Sequence, residues 1–249
     1  MYPPEVEVLG FPFAALTLDE ATRYLLSSGE RDEPWLIFTP NPEMIERAMR
    51  DAALKDILLS ADLLLADGIG VVLASRIMGN PLPEVIPGID LMERLLVEGA
   101  HRRLRVFLLG TTPESVEAAA RRIAEVYPGI RVVGCHHGYF AEPSTSQVVK
   151  LIRGSKPDLV FVGMGVPRDQ VFLSRTKPLL PAALYLGVGG AIDVFSGKVM
   201  RAPGILRRLR LEWLYRLISS PTRWRRQLDL PRFVWRVLKT RLAGKTSLR

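Results

Sequence analysis

Short apolar runs alternate with stretches of helical periodicity along most of the chain. Trp35-Leu-Ile-Phe-Thr39 is an apolar run closed by Pro40 and Pro42, and it reads as a buried strand. Runs of the same kind over 62–66, 105–110, 130–134, 158–163 and 183–187 predict further strands. Between them, apolar residues recur three and four positions apart over 43–58, 71–78, 89–98, 113–127, 144–153 and 167–177, which predicts helices. Thr112 is placed to cap the helix that Pro113 opens. Strands and helices in this alternation build a parallel sheet covered on both faces, an α/β fold of the Rossmann-like kind.

The rhythm changes after Lys198. Over 205–219, Leu206, Leu209, Trp213 and Leu217 form one stripe of an amphipathic helix, while Arg208, Glu212 and Arg216 form another. Pro221 stops it, and a second basic amphipathic stretch runs over 232–242. The chain therefore divides into an α/β body, 1–197, and a C-terminal basic helical appendage, 198–249.

Charge sharpens that division. Residues 198–249 carry 15 Lys and Arg against two acids, whereas residues 1–197 carry 19 against 24. The tail thus calls for an anionic partner: a membrane surface, a phosphorylated lipid or nucleic acid. Arginine interleaved with Leu and Trp suits the headgroup region of an anionic leaflet, whereas no base-reading motif is present. A surface helix packed on its own domain is the plainer alternative. No apolar run approaches the roughly 20 residues that span a bilayer, so a membrane-bound chain would lie on the surface. Cys135 is the sole cysteine, which suits the reducing cytoplasm, and the first residues have neither the basic nor the apolar segment of a signal peptide.

Candidate chemistry collects at predicted strand ends, where open α/β sheets bind ligands. Thr39-Pro-Asn41-Pro, Ala66-Asp67-Gly68-Ile-Gly70, Gly110-Thr-Thr, Gly163-Met-Gly165-Val-Pro167 and Gly187-Val-Gly-Gly190 all fall there. Gly163-x-Gly165 does not extend to a dinucleotide fingerprint, because Arg168 takes the last glycine position, and no phosphate loop of the Gly-x-x-x-x-Gly-Lys type exists. No cofactor is expected. Asp67 ends an apolar strand beside a glycine and suits general-base work, although an aspartate there also suits a helix cap. Thr39, Asn41 and Asp193 carry the same ambiguity. His136-His137 reads as a loop pair rather than a metal site, and Cys135 as a core filler.

Together these motifs, with Gly88-Ile-Asp90, Gly138-Tyr-Phe, Lys198-Val-Met-Arg201-Ala-Pro203 and Leu211-Glu-Trp-Leu-Tyr-Arg-Leu217, resemble the bacterial N-acetylmannosaminyltransferases of the WecG/TagA/CpsF family. The likeness runs from about residue 7 to 240. It implies an inverting, metal-independent transfer from a UDP-sugar donor to the GlcNAc of an undecaprenyl-diphosphate acceptor. The reaction would run in the cytoplasm, with the enzyme peripheral on the inner membrane face, in teichoic-acid or related polysaccharide synthesis. Asp67 matches the family's base and Thr39 a catalytic pocket residue. Asn41, Gly68, Asp90, Gly110, Gly163, Gly165, Gln170 and Gly190 match donor-binding positions. Arg216, Arg223 and Arg226 match arginines that grip the acceptor diphosphate.

Two positions depart from the family pattern. Val85 stands where an arginine could steady the departing diphosphate, leaving Arg168, Arg76 or a tail arginine as substitutes. Asp169-Gln170 replaces Gln-Glu. Another UDP-hexose or uronic-acid donor stays open on this reading, as does a non-catalytic binder of nucleotide sugar or nucleic acid. A tail lifted off the membrane would expose apolar surface and favour a homo-oligomer.

Overall fold

The computed structural model describes residues 2–27, 32–204, 206 and 229–246. Arg216, Arg223, Arg226 and nearly all of the 205–219 stretch lie outside the described residues.

An antiparallel hairpin opens the chain, β1 (Glu5–Val8) with β2 (Phe11–Ala14), followed by α1 (Leu18–Ser27). Neither the hairpin nor α1 stands out in the sequence pattern. Then come β3 (Trp35–Phe38), α2 (Pro42–Ala48), α3 (Ala52–Leu59), β4 (Leu63–Leu64), α4 (Ile69–Met78) and α5 (Gly88–His101). The series continues with β5 (Arg105–Gly110), α6 (Pro113–Val126), β6 (Arg131–His136), α7 (Thr145–Ser155) and β7 (Leu159–Gly163). It closes with α8 (Arg168–Thr176), β8 (Leu184–Gly187), α9 (Ala191–Phe195) and α10 (Asp229–Thr246). The single helix expected over 43–58 is two. The chain breaks at Met49–Arg50, and Asp51 caps α3 by accepting the Leu54 N–H at 3.1 Å. Thr112 caps α6 as its sequence implies.

Six strands form one parallel sheet in the order β4-β3-β8-β7-β5-β6. Burial on both faces explains the uninterrupted apolar strands: Leu159–Gly163 is buried at every position. One face packs on α2, α3, α4, α7, α8, the hairpin and α10, through residues such as Phe13, Ile45, Leu58, Val72, Val148, Leu173 and Phe233. The other packs on α1, α5, α6 and α9, through Leu25, Leu95, Ile123 and Ile192. After β3 the chain leaves toward the first face, after β8 toward the second, so the adjacent pair β3 and β8 marks a switch point where a crevice must open.

Helix α10 lies within the basic span yet seats Phe233 and Val237 inside the core of the body. Val234, Trp235, Leu238 and Leu242 face out. Among the described residues no helix is long and apolar enough to cross a membrane.

Candidate active site

At the switch point a cleft of about 240 Å3 opens beyond the ends of β3 and β8. Backbone pairing continues past the strands and aligns its walls. The Leu65 N–H donates to the Phe38 carbonyl at 3.0 Å and the Asp67 N–H to Pro40 at 3.2 Å, so the segment after β4 runs beside the segment after β3. That pairing sets Asp67 next to Thr39 and Asn41, and all three line the cleft.

Asp67 stands just before α4 rather than at its cap position. The cap position of α4 falls on Gly68, one residue beyond Asp67, and its φ of +89° is one that a residue with a side chain adopts only under strain. Asp67 is half-buried and presents its carboxylate chemistry to the cleft wall. Asn41 does cap: its Oδ1 accepts the Met44 N–H at 2.9 Å, which leaves its amide nitrogen for any ligand. Thr39 is buried, and a Cβ added at Gly88 would sit 2.9 Å from its Oγ1. Hence glycine lets the first turn of α5 approach the floor of the cleft. Pro87, Gly88 and Ile89 line it, so the N-terminus of α5, the positive end of its dipole, points at the cleft with Pro87 in the cap position.

Of the glycines expected to bind donor, Gly68 stands at the α4 cap position and does not line the cleft, and the other four fall into two groups. Gly165 and Gly190 line the cleft, and an added Cβ at either meets nothing within 4 Å. Gly110 and Gly163 are scaffold instead. A Cβ on Gly110, at φ +149°, would stand 2.2 Å from the Gly163 carbonyl oxygen, and one on Gly163 would stand 2.6 Å from that of Gly189. Those contacts draw the ends of β5, β7 and β8 together. Asp90 does not line the cleft either; it is ion-paired with Arg201, which also holds Glu93 at 3.1 Å. Asp193 sits inside α9 and accepts the Thr111 hydroxyl. His136 lies on β6, not in a loop, stacked on His137 at 4.5 Å between ring centroids. Cys135 is also on β6, part-buried, and burial pushes its thiol pKa up. Among the described residues no three His, Cys, Asp or Glu side chains converge on a metal-sized cage.

The chain's departures at Val85 and Asp169 have structural consequences. Val85 is buried in the core, so no cation reaches the cleft from that position. Arg76 is exposed in the last turn of α4, about 10 Å along the axis from the turn nearest the cleft. Arg168 donates to the Gly138 carbonyl at 2.5 Å and lies over the Tyr139 ring, beside the cleft rather than on its wall. Among the described residues, the cation that lines the cleft is Arg47, whose guanidinium reaches the Val166 carbonyl at 3.4 Å. Asp169 and Gln170 line it too, and both are almost wholly buried. Burial pushes the Asp169 pKa from 3.8 up to about 7, against the pull of the Met164, Gly165 and Gly189 amides and of Arg168.

Sequence reasoning passed over Arg47, Asp169 and Asp229 as site residues. Arginine or aspartate near a helix end ordinarily faces water; Arg47 stays exposed along the cleft, while the pairing of distant segments brings Asp169 and Asp229 onto its wall.

The family model for glycosyl transferases of the WecG/TagA/CpsF family matches residues 6–247. The chain belongs to this glycosyltransferase family. A Bacillus spizizenii relative is 41% identical over 203 residues, covering 82% of this chain and 78% of its own. One from Bacillus subtilis is 39% identical over 211 residues, covering 85% and 82%. One from Staphylococcus aureus is 35% identical over 239 residues, covering 95% and 93%. Each of the three is an N-acetylglucosaminyldiphosphoundecaprenol N-acetyl-beta-D-mannosaminyltransferase.

Proposed function

We infer that this glycosyltransferase moves N-acetylmannosamine from UDP to the GlcNAc of an undecaprenyl-diphosphate acceptor, with inversion. The observation that carries this reading is the placement of Asp67, Thr39 and Asn41 on one cleft with the α5 N-terminus and Arg47. In this scheme the Asp67 carboxylate takes the proton of the acceptor hydroxyl. The freed oxygen attacks the anomeric carbon from the face opposite UDP. The bond from that carbon to the diphosphate breaks, and UDP departs with its electron pair. Charge growing on the diphosphate meets the N-terminus of α5 and the Arg47 guanidinium, which supply part of what an arginine at position 85 would. Gly165, Gln170 and Gly190 seat the donor.

The acceptor arrives from a membrane, and the basic tail suits that. Arg216, Arg223 and Arg226 would fork onto the lipid diphosphate. Helix α10 offers an outward apolar stripe, Trp235, Leu238 and Leu242, with the Lys239 ammonium 5.1 Å from the Trp235 ring. This arrangement fits a peripheral enzyme on the inner leaflet whose stripe is covered by self-association when no membrane is present.

The test is transfer to a short-chain lipid-diphosphate-GlcNAc from a panel of UDP sugars, by the wild type and by Asp67→Asn. Transfer from UDP-N-acetylmannosamine that falls about 100-fold or more in the variant, with donor affinity kept, supports the scheme. Preference for another donor overturns the sugar assignment. Undiminished turnover in Asp67→Asn removes the base.

A further inference from the structure

Asp169 stands where two loops of the cleft wall meet, and its chemistry is out of keeping with a purely structural residue. It lies in the first turn of α8 with 1% of its surface exposed. Its Oδ1 accepts the Met164 N–H at 2.5 Å. The amides of Gly165, on the same loop, and of Gly189, on the loop after β8, lie near enough to favour its negative charge. Its Oδ2 has no hydrogen-bond partner among the described residues, nor has the Gln170 Oε1 beside it. An unpartnered carboxylate under a protein wall lowers stability, and by more when charged than a neutral amide of the same size would. Groups that destabilise the fold while lining a cleft are characteristic of functional sites.

We propose that Asp169 is a positioning residue: its carboxylate holds the loops at 163–166 and 187–190 together in the shape that receives the UDP-sugar. The two loops contribute Gly165, Val166, Gly187, Val188, Gly189 and Gly190 to the cleft. Ionised Asp169 draws amides from both toward one point. Protonated, it keeps the Met164 bond but no longer attracts the Gly189 amide, and the β8 side of the wall relaxes. The inference rests on the reading that this cleft takes a UDP-sugar.

Other charged groups face the same space. Arg168 is on its own helix, Glu43 and Arg47 come from α2, Asp67 follows β4, and Asp229 begins α10. A variant that removes only the Asp169 proton separates its contribution from theirs.

The experiment is calorimetric titration of the full chain with UDP-N-acetylmannosamine, which does not itself ionise between about pH 6 and pH 8. If only the ionised form receives the ligand, the competent fraction falls about tenfold across that interval, and Kd weakens about tenfold at the acid end. Asp169→Asn should bind weakly and equally at both pH values while melting no lower than the wild type at about pH 8. A wild-type Kd unchanged over the interval overturns the proposal. So does an Asp169→Asn protein with wild-type affinity, or one that keeps the pH dependence. Should the variant fail to fold, the wild-type titration still decides. Failure of sugar transfer with this binding pattern intact would count against the transferase scheme alone.

Discussion

Arg236 holds Glu46 with two prongs, its Nε 3.0 Å and Nη2 2.9 Å from the two carboxylate oxygens, and so ties α10 to α2. Glu46 is 1% exposed and its pKa is held below 4.5, chiefly by the Arg236 hydrogen bonds. From the break just after α2, Arg50 reaches Asp229 at 2.7 Å, reinforcing the joint next to the cleft. Since α2 begins at the Asn41 cap, the clasp braces the cleft wall that carries Arg47.

Arg236→Ala strands a buried carboxylate. Breaking a buried pair on one side costs about 3 kcal/mol, which for a chain of this size is a Tm loss of roughly 5–10 °C. Because the folded pKa of Glu46 is depressed, its contribution is complete above 4.5 and is lost as pH falls through the lower folded value. Glu46→Gln should therefore melt below the wild type at neutral pH and match it in strong acid. A constant gap at all pH values would contradict the ion-pair account.

Asp169 works in the opposite sense. Its pKa rises from 3.8 unfolded to about 7 folded, so the folded chain keeps a proton the unfolded chain has lost. Its contribution to stability is greatest below 3.8 and declines as pH climbs toward 7, by on the order of 4 kcal/mol at most. The difference in Tm between Asp169→Asn and the wild type should widen in the variant's favour over that window. A difference that does not change with pH would show that the carboxyl stays ionised.

Asn41 has two duties that one substitution pair separates. Asn41→Ala removes the cap and should cost about 1 kcal/mol. Asn41→Asp keeps an acceptor for Met44 and should melt normally, yet lose at least about tenfold in kcat/KM because the amide donor is gone. Normal turnover in the aspartate variant would leave Asn41 as a cap alone.

The two groups of glycine should respond differently to alanine. Gly110→Ala forces a Cβ to 2.2 Å from the Gly163 carbonyl, backbone against backbone, and should cost about 3 kcal/mol or more, seen as a lowered Tm. Gly190→Ala meets nothing within 4 Å, so the fold should survive while the methyl intrudes on the cleft and weakens donor binding. Equal melting of both variants would dissolve the distinction.

The outer face of α10 is testable apart from folding. Trp235→Glu with Leu238→Glu alters side chains that are 62% and 46% exposed, so Tm should hold. Flotation with vesicles rich in phosphatidylglycerol should fall at least about fivefold. Unchanged flotation would shift membrane binding to residues 207–228.

Periodicity alone was enough for the parallel sheet and most of its helices. Apolar strands such as 159–163 and capped helices such as that of Thr112 are decided by local pattern and burial, which sequence records directly. The short motifs near Thr39, Asp67 and Gly190 stood out as well, since they end apolar strands, but the same residue types also serve purely structural ends, as Asn41 does in capping α2 and Gly163 in close backbone packing. The N-terminal hairpin was not, since its alternation is only four residues long on each side. Nor was the break at Met49–Arg50, where one polar turn is masked by continuous helical spacing.

Tertiary structure alone decided which strand ends share a cleft. Strand order follows from the packing of both faces, not from order along the chain, and it separates Gly110 and Gly163 from Gly165 and Gly190. It also turned Arg47, Asp169 and Asp229 toward one space and set Phe233 into the body. A charge's burial, and hence its pKa and its use, depends on neighbours brought from far along the chain, which no local pattern encodes.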